Sequence, residues 1–197
     1  MAEIIAFTNL TLDGVMQAPG RPDEDPRDGF EHGGWATPYA AMQEVEDVLG
    51  DVGAILFGRR TYEDFYGFWP NQEDSPFAAF FNNIQKYVAS TTLETPLGWE
   101  NTTLLNGDVA EAVGSLKKEE DRDIVIFGSG VLIQSLMQDD LVDKYVLLIH
   151  PLVLGTGRRL FPEGGAAATL RLRNTKTTST GVVIATYEPA DVNERAA

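Results

Sequence analysis

The sequence predicts a three-layer α/β domain on a mixed, mostly parallel sheet that closes with a C-terminal antiparallel hairpin. Three observations carry this. Short apolar, β-branched runs alternate with stretches of helical spacing. Two of those runs end in glycine where a helix then begins, at Gly58 and Gly128. The last two runs, 171–176 and 182–187, follow each other around Gly181 with no helix between them. Strands separated by helices imply right-handed crossovers and parallel neighbours covered on both faces. One domain is expected over residues 1–190, with a polar tail at 191–197.

Taken in order, residues 3–10 read as a buried strand. Residues 17–34 hold Pro19, Pro22, Pro26 and four glycines, and read as a long functional loop or lid. Thr37-Pro38 opens a helix, with Ala41, Val45, Val48 and Leu49 on one face. Residues 53–57 form a strand and 59–65 a short helix. Ser75-Pro76 starts another helix, with Phe77, Phe80, Phe81 and Ile84 facing inward. Residues 87–90 and 101–105 are strands. Asp108 caps a helix, with Glu111 three residues on. Residues 123–127 form the clearest buried strand, and Gly128-Ser129-Gly130 turns it into a helix holding Val131, Leu132, Ser135 and Leu136. Residues 141–149 return as a strand before the final hairpin.

Composition excludes several functions. The 197 residues carry 15 basic and 30 acidic side chains, a net charge of −15. Such a chain repels a phosphate backbone and an acidic bilayer, so neither nucleic acid nor membrane is an expected partner. The absence of cysteine removes disulfides, thiol nucleophiles, thiolate zinc sites and iron–sulfur clusters. No apolar run is long enough to span a bilayer, and the N-terminus does not read as a signal peptide, so a cytoplasmic protein is expected. His32 and His150 are the only histidines. Their surroundings suggest no metal site, and His150 reads as a buried structural residue. No Gly-x-Ser-x-Gly turn is present for a serine hydrolase.

The two glycine corners are the candidate sites. In Gly58-Arg59-Arg60-Thr61 and in Gly128-Ser129-Gly130-Val131, a helix N-terminus offers free N–H groups and partial positive charge. Glycine there lets a phosphate approach the backbone. Arg59 and Arg60 add charge and Thr61 a hydroxyl, which suits a diphosphate. Neither corner is a full dinucleotide fingerprint, since Ile133 stands where a third glycine would be. Ser90 and Thr91 follow a third strand and offer hydroxyls to a ribose phosphate. Asp13-Gly14 is a tight turn that either only reverses the chain or sits against a ligand.

These residues resemble a known family. Thr11-Leu12-Asp13-Gly14 after the first strand, and Trp35-Ala36-Thr37 at a helix start, are similar to the reductase domain of the bifunctional riboflavin-biosynthesis deaminase-reductase. Gly58-Arg59-Arg60-Thr61-Tyr62 resembles the helix start of dihydrofolate reductases. Phe127-Gly128-Ser129-Gly130, Leu141-Val142-Asp143, Pro151, Leu154-Gly155-Thr156-Gly157 and Leu160-Phe161 follow in the family's order, and the likeness runs from residue 3 to 188. The resemblance implies a stand-alone reductase of dihydrofolate-reductase-like fold that uses NADPH. It places Gly58, Arg59, Arg60 and Thr61 on the diphosphate and 2′-phosphate side, and Ser90 and Thr91 near the adenosine 2′-phosphate. It places Gly128, Ser129, Gly130 and Val131 at the diphosphate and nicotinamide ribose, and Gly14 and Val15 beside the nicotinamide. Trp35, Tyr39 and Leu154 would meet a small-molecule substrate, Asp13 or Glu44 would serve catalysis, and a homodimer is expected. No lysine or arginine lies between Arg27 and Arg59, so the Trp35 segment lacks a basic anchor for a phosphorylated substrate. The rival readings are a non-catalytic nucleotide-binding module on the same fold and, more distantly, a hydrolase using the acidic loop.

Overall fold

The computed structural model describes residues 1–39, 50–72 and 75–190. The predicted helix face at Ala41, Val45, Val48 and Leu49, the candidate Glu44 and the tail 191–197 lie outside the described residues. The contacts of the chain divide it into two compact units: Met1–Ile4 with Asp51–Leu141, and Ile5–Gly50 with Val142–Ala197.

Among the described residues, the first unit holds four strands and four α-helices. The strands are β2 (Val52–Gly58), β3 (Gln85–Ala89), β4 (Thr102–Leu105) and β5 (Asp123–Phe127), in the order β4-β3-β2-β5. All three pairings are parallel. The apolar runs read from the sequence supply the buried residues, with Ala54 to Phe57 and Ile124 to Ile126 fully enclosed. Helix α1 (Arg59–Phe68) follows β2, α2 (Pro76–Asn83) precedes β3, α3 (Val109–Glu119) precedes β5 and α4 (Gly130–Gln138) follows it. Asp108 caps α3 as expected, its carboxylate accepting the Glu111 N–H at 3.0 Å. An aromatic cluster of Phe57, Tyr62, Phe81 and Trp99 fills the space around β2 and β3.

Two residues depart from expectation. Phe80 is 37% exposed, and Ala78 joins Phe81 in the buried set. Adjacent residues on a helix stand about 100° apart, so Phe80 and Phe81 cannot both face the core. Lys86 is a buried lysine, the second residue of β3. Its ammonium donates to the carbonyls of Phe81 and Ile84 at 2.8 Å and of Asn82 at 3.2 Å, and lies 4.7 Å from the Trp99 ring centre. It therefore caps the C-terminal end of α2, where carbonyls lack helical partners and the helix dipole is negative.

The second unit contains β1 (Ile4–Thr11, apart from its first residue), β6 (Lys144–His150), β7 (Leu170–Thr177) and β8 (Val183–Pro189). Strands β1 and β6 pair in parallel, whereas β6-β8 and β8-β7 are antiparallel, which is the predicted closing hairpin. Thr37–Tyr39, where a helix was expected to open, forms a 3-10 turn. The 17–34 loop is fastened by Gln17, which is almost fully buried. Its amide donates to the carbonyls of Asp25 and Arg27 at 3.0 and 3.1 Å, and its side-chain oxygen accepts the Arg158 N–H at 2.9 Å. A buried amide satisfied on both sides helps to order the loop.

Candidate functional site

In the first unit, β2 and β5 are neighbours in register, Ala54 opposite Ile124 and Leu56 opposite Ile126. Their carboxyl ends therefore bring the two glycine corners side by side. Two hydrogen bonds join them. The Gly58 N–H donates to Ser129 Oγ at 3.0 Å, and the Ser129 N–H donates to Thr61 Oγ1 at 3.2 Å. Gly128 and Ser129 both take left-handed backbone, with φ of 55° and 49°. For the serine this is a strained conformation, held here by its two bonds.

Unlike α3, neither α1 nor α4 has a side-chain cap on its first amides. Gly58 has an ordinary extended φ of −77°. A Cβ placed there would meet Ser129 and Leu132 at 3.7 Å, a normal contact. Neither conformation nor internal packing thus demands glycine at 58. Arg59 lies within 3.2 Å of Glu63 one turn on, and Arg60 is exposed. Val131, in the first turn of α4, is 75% exposed. Ser90 Oγ accepts the N–H groups of Thr92 and Leu93, both at 3.1 Å, so it forms a turn after β3, while Thr91 is exposed.

In the second unit, Asp13 is an organising acceptor. Its carboxylate takes the Thr11 hydroxyl at 2.6 Å and the N–H groups of Leu154 and Gly155 at 3.2 and 2.9 Å. The Arg159 guanidinium donates to the Asp13 carbonyl at 2.7 Å. The Thr11 hydroxyl is the main cause that holds the Asp13 carboxyl down at about 2; burial opposes it, and the Gly155 and Leu154 amides add to it. A carboxylate so held carries no proton at neutral pH. Asp13 thereby fixes the 152–160 loop through the Leu154 and Gly155 amides. Asp13→Ala is expected to leave the Leu154 and Gly155 amides without their acceptor and to lower stability by roughly 2 kcal/mol. Faster hydrogen exchange at those two amides checks this, and unchanged exchange contradicts it.

Gly14 has φ of 78°, a turn position that favours glycine. Val15 is buried in a cluster with Ala18, Phe30 and Trp35, and its N–H goes to Thr11 Oγ1 at 2.9 Å. Its contribution is therefore to the wall of the turn. Trp35 is buried, its indole N–H donating to the Gln17 carbonyl at 2.7 Å, and Leu154 packs against the same cluster. Tyr39 is half-buried, and its ring stands 5.5 Å from that of His150. His150 is buried as the sequence suggested, with Nε2 2.9 Å from Asn9 Oδ1.

Burial pulls the imidazole down from 6.5 to about 4. The unfolded chain thus takes up a proton between those values while the folded protein does not. Stability is complete above pH 6.5 and is lost as the pH falls toward 4. The loss by pH 5 is about 2 kcal/mol, because each tenfold difference in proton affinity between folded and unfolded chain is worth roughly 1.36 kcal/mol. Melting curves from pH 7 to 5 should show this fall, and His150→Gln should flatten it; equal slopes in both proteins would contradict the assignment.

The parallel strands, the closing hairpin and the glycine corners at strand ends define the dihydrofolate-reductase-like class of α/β proteins. Within it, this chain belongs to the family described as the RibD C-terminal domain, whose model matches residues 2–184. The uncharacterized protein YyaP of Bacillus subtilis (strain 168) is 33% identical over 193 residues, 93% of each chain. Among solved structures, the "Putative riboflavin biosynthesis protein" of Shewanella sp. PV-4 superposes with a TM-score of 0.70 at 24% identity, covering 96% of this chain and 99% of that one. A pyrimidine reductase-like protein of Corynebacterium diphtheriae has a TM-score of 0.62 at 12% identity, covering 96% and 92%. The structural likenesses establish the fold, and the family model establishes the family. Among the described residues, no helix is long and apolar enough to cross a membrane.

Proposed function

We propose that this chain is an NADPH-dependent oxidoreductase acting on a C=N or C=O carbon of a small heterocyclic or carbonyl substrate. The observation that carries the reading is the pair of joined corners. They have two uncapped helix starts and a glycine at 58 that the protein's own packing does not require. Close approach of a ligand to the backbone explains that glycine. NADPH supplies the hydride when bound. Gly58, Arg59, Arg60 and Thr61 hold the diphosphate and 2′-phosphate side, with Ser90 and Thr91 at the ribose phosphate. Gly128, Ser129, Gly130 and Val131 form the second corner, where the exposed Val131 offers an apolar contact. Gly14 and Val15 shape the turn beside the nicotinamide. Trp35, Tyr39 and Leu154 bind the substrate in the second unit. Asp13 positions the loop, and Asp13, Tyr39 or Glu44, or a water held by them, delivers the proton.

A homodimer is part of the proposal. Strand β7 ends the strand order, and Leu172 on it is 51% exposed, an edge that pairing would cover. Sedimentation as a monomer at micromolar concentration would remove it.

The test is a thermal-shift screen with NADPH and NADH, followed by loss of NADPH absorbance with pterins, pyrimidines and dicarbonyls. At 100 times its dissociation constant, NADPH should add about 2.7 kcal/mol of stability. Stabilisation without turnover of any substrate class would favour the non-catalytic binding module instead.

A further inference from the structure

His150, which the sequence suggested was structural, has an unused polar atom. Its ring is only 3% exposed, and its Nδ1 has no hydrogen-bond partner among the described residues. With the Asn9 side-chain oxygen accepting at 2.9 Å, Nε2 carries the proton and Nδ1 keeps its lone pair. A buried acceptor without a donor is uncommon in native proteins and calls for a partner. The ring's neighbours give that nitrogen a frame. Trp35 stands edge-on at 5.1 Å and 89°, and Tyr39 at 5.5 Å and 78°. Thr8 Oγ1 is also buried without a partner. It belongs to the opposite face of β1, because residues 8 and 9 alternate sides along a strand.

We propose that His150 Nδ1, oriented by Asn9 and framed by Trp35 and Tyr39, accepts a hydrogen bond from the substrate. The ligand class is a flat, uncharged ring bearing an N–H donor. Its identification as a substrate rests on the oxidoreductase reading; its binding does not. Asn9, Trp35 and Tyr39 bring no cation to this spot, so a phosphate gains nothing there. Asn9 and Tyr39 are the half-buried members of the group, and a ligand enters from their side. The Tyr39 carbonyl, held by the Thr180 hydroxyl at 3.0 Å, fixes the turn that carries this ring.

The probes are 2-aminopyrimidine and 2-dimethylaminopyrimidine, which share a ring and differ in the N–H donor. In wild-type protein with labelled histidine, 2-aminopyrimidine should move the His150 Nδ1 resonance upfield, and the dimethyl analogue should not. Its affinity should also be about tenfold the greater, the worth of one hydrogen bond. His150→Phe keeps a flat ring and should remove that preference, while Asn9→Ala should weaken it. Equal shifts from both probes, or none at tens of millimolar, overturn the proposal, and this arm stands even if a variant fails to fold. NADPH affinity, measured in parallel, reads the oxidoreductase proposal separately: its absence sinks that reading and leaves the outcome of the pyrimidine pair intact.

Discussion

Replacing Lys86 by methionine is expected to destabilise the protein more than the loss of Asp13 or the protonation of His150. Methionine fills much of the same volume, so the loss is mainly polar. Three carbonyls, those of Phe81, Asn82 and Ile84, would lose their donor in a buried setting, and Trp99 would lose its cation. Each bond to a charged group is worth about 1.5–3 kcal/mol, offset in part by no longer burying an ammonium. The net loss is about 3 kcal/mol, or roughly 6–12 °C in melting temperature for a chain of this size. Burial brings the Lys86 amine down from 10.5 to about 8, with Glu100 opposing. The folded protein therefore sheds this proton before the unfolded chain does, and its stability rises between pH 8 and 10.5. The methionine variant should lack that rise. A variant as stable as wild type would show that Lys86 does not cap α2.

The second large effect concerns affinity. Changing Arg59 and Arg60 together to alanine should weaken NADPH binding by about 3 kcal/mol or more, which is at least a hundredfold, since each charged hydrogen bond contributes about 1.5–3 kcal/mol. Arg59 must first release Glu63, which is exposed and only weakly competitive. Glu63→Gln should therefore tighten binding slightly. The fold should be unaffected, because both arginines stand in the first turn of α1 and neither is buried. Fluorescence titration with equal affinities for wild type and double variant would remove these side chains from the site.

Much of this was legible in the chain. The strands 53–57 and 123–127 are apolar runs, the second opened by Asp123, that are closed by glycine, and they lie within a residue of β2 and β5. The corners follow from those boundaries. The bonds joining them do not, since Ser129 lies 71 positions from Gly58. Gln17 likewise gains its meaning from Arg158, 141 residues away. Lys86 did carry a signal. Strand alternation places it on the same face as Val88, and both are buried. A lysine is so seldom enclosed that its residue type masked the pattern. The loop-holding role of Asp13 was not legible, because its three donors come from Thr11 and from a distant loop that only the fold brings together.

The most direct test follows the backbone amide signals of the full chain during titration with NADPH. Saturable shifts should be largest at residues 58–61 and 128–131, with tighter binding than for NADH. Saturation with those eight amides unmoved, or no binding at millimolar nucleotide, would contradict the assignment of the joined corners as the dinucleotide site.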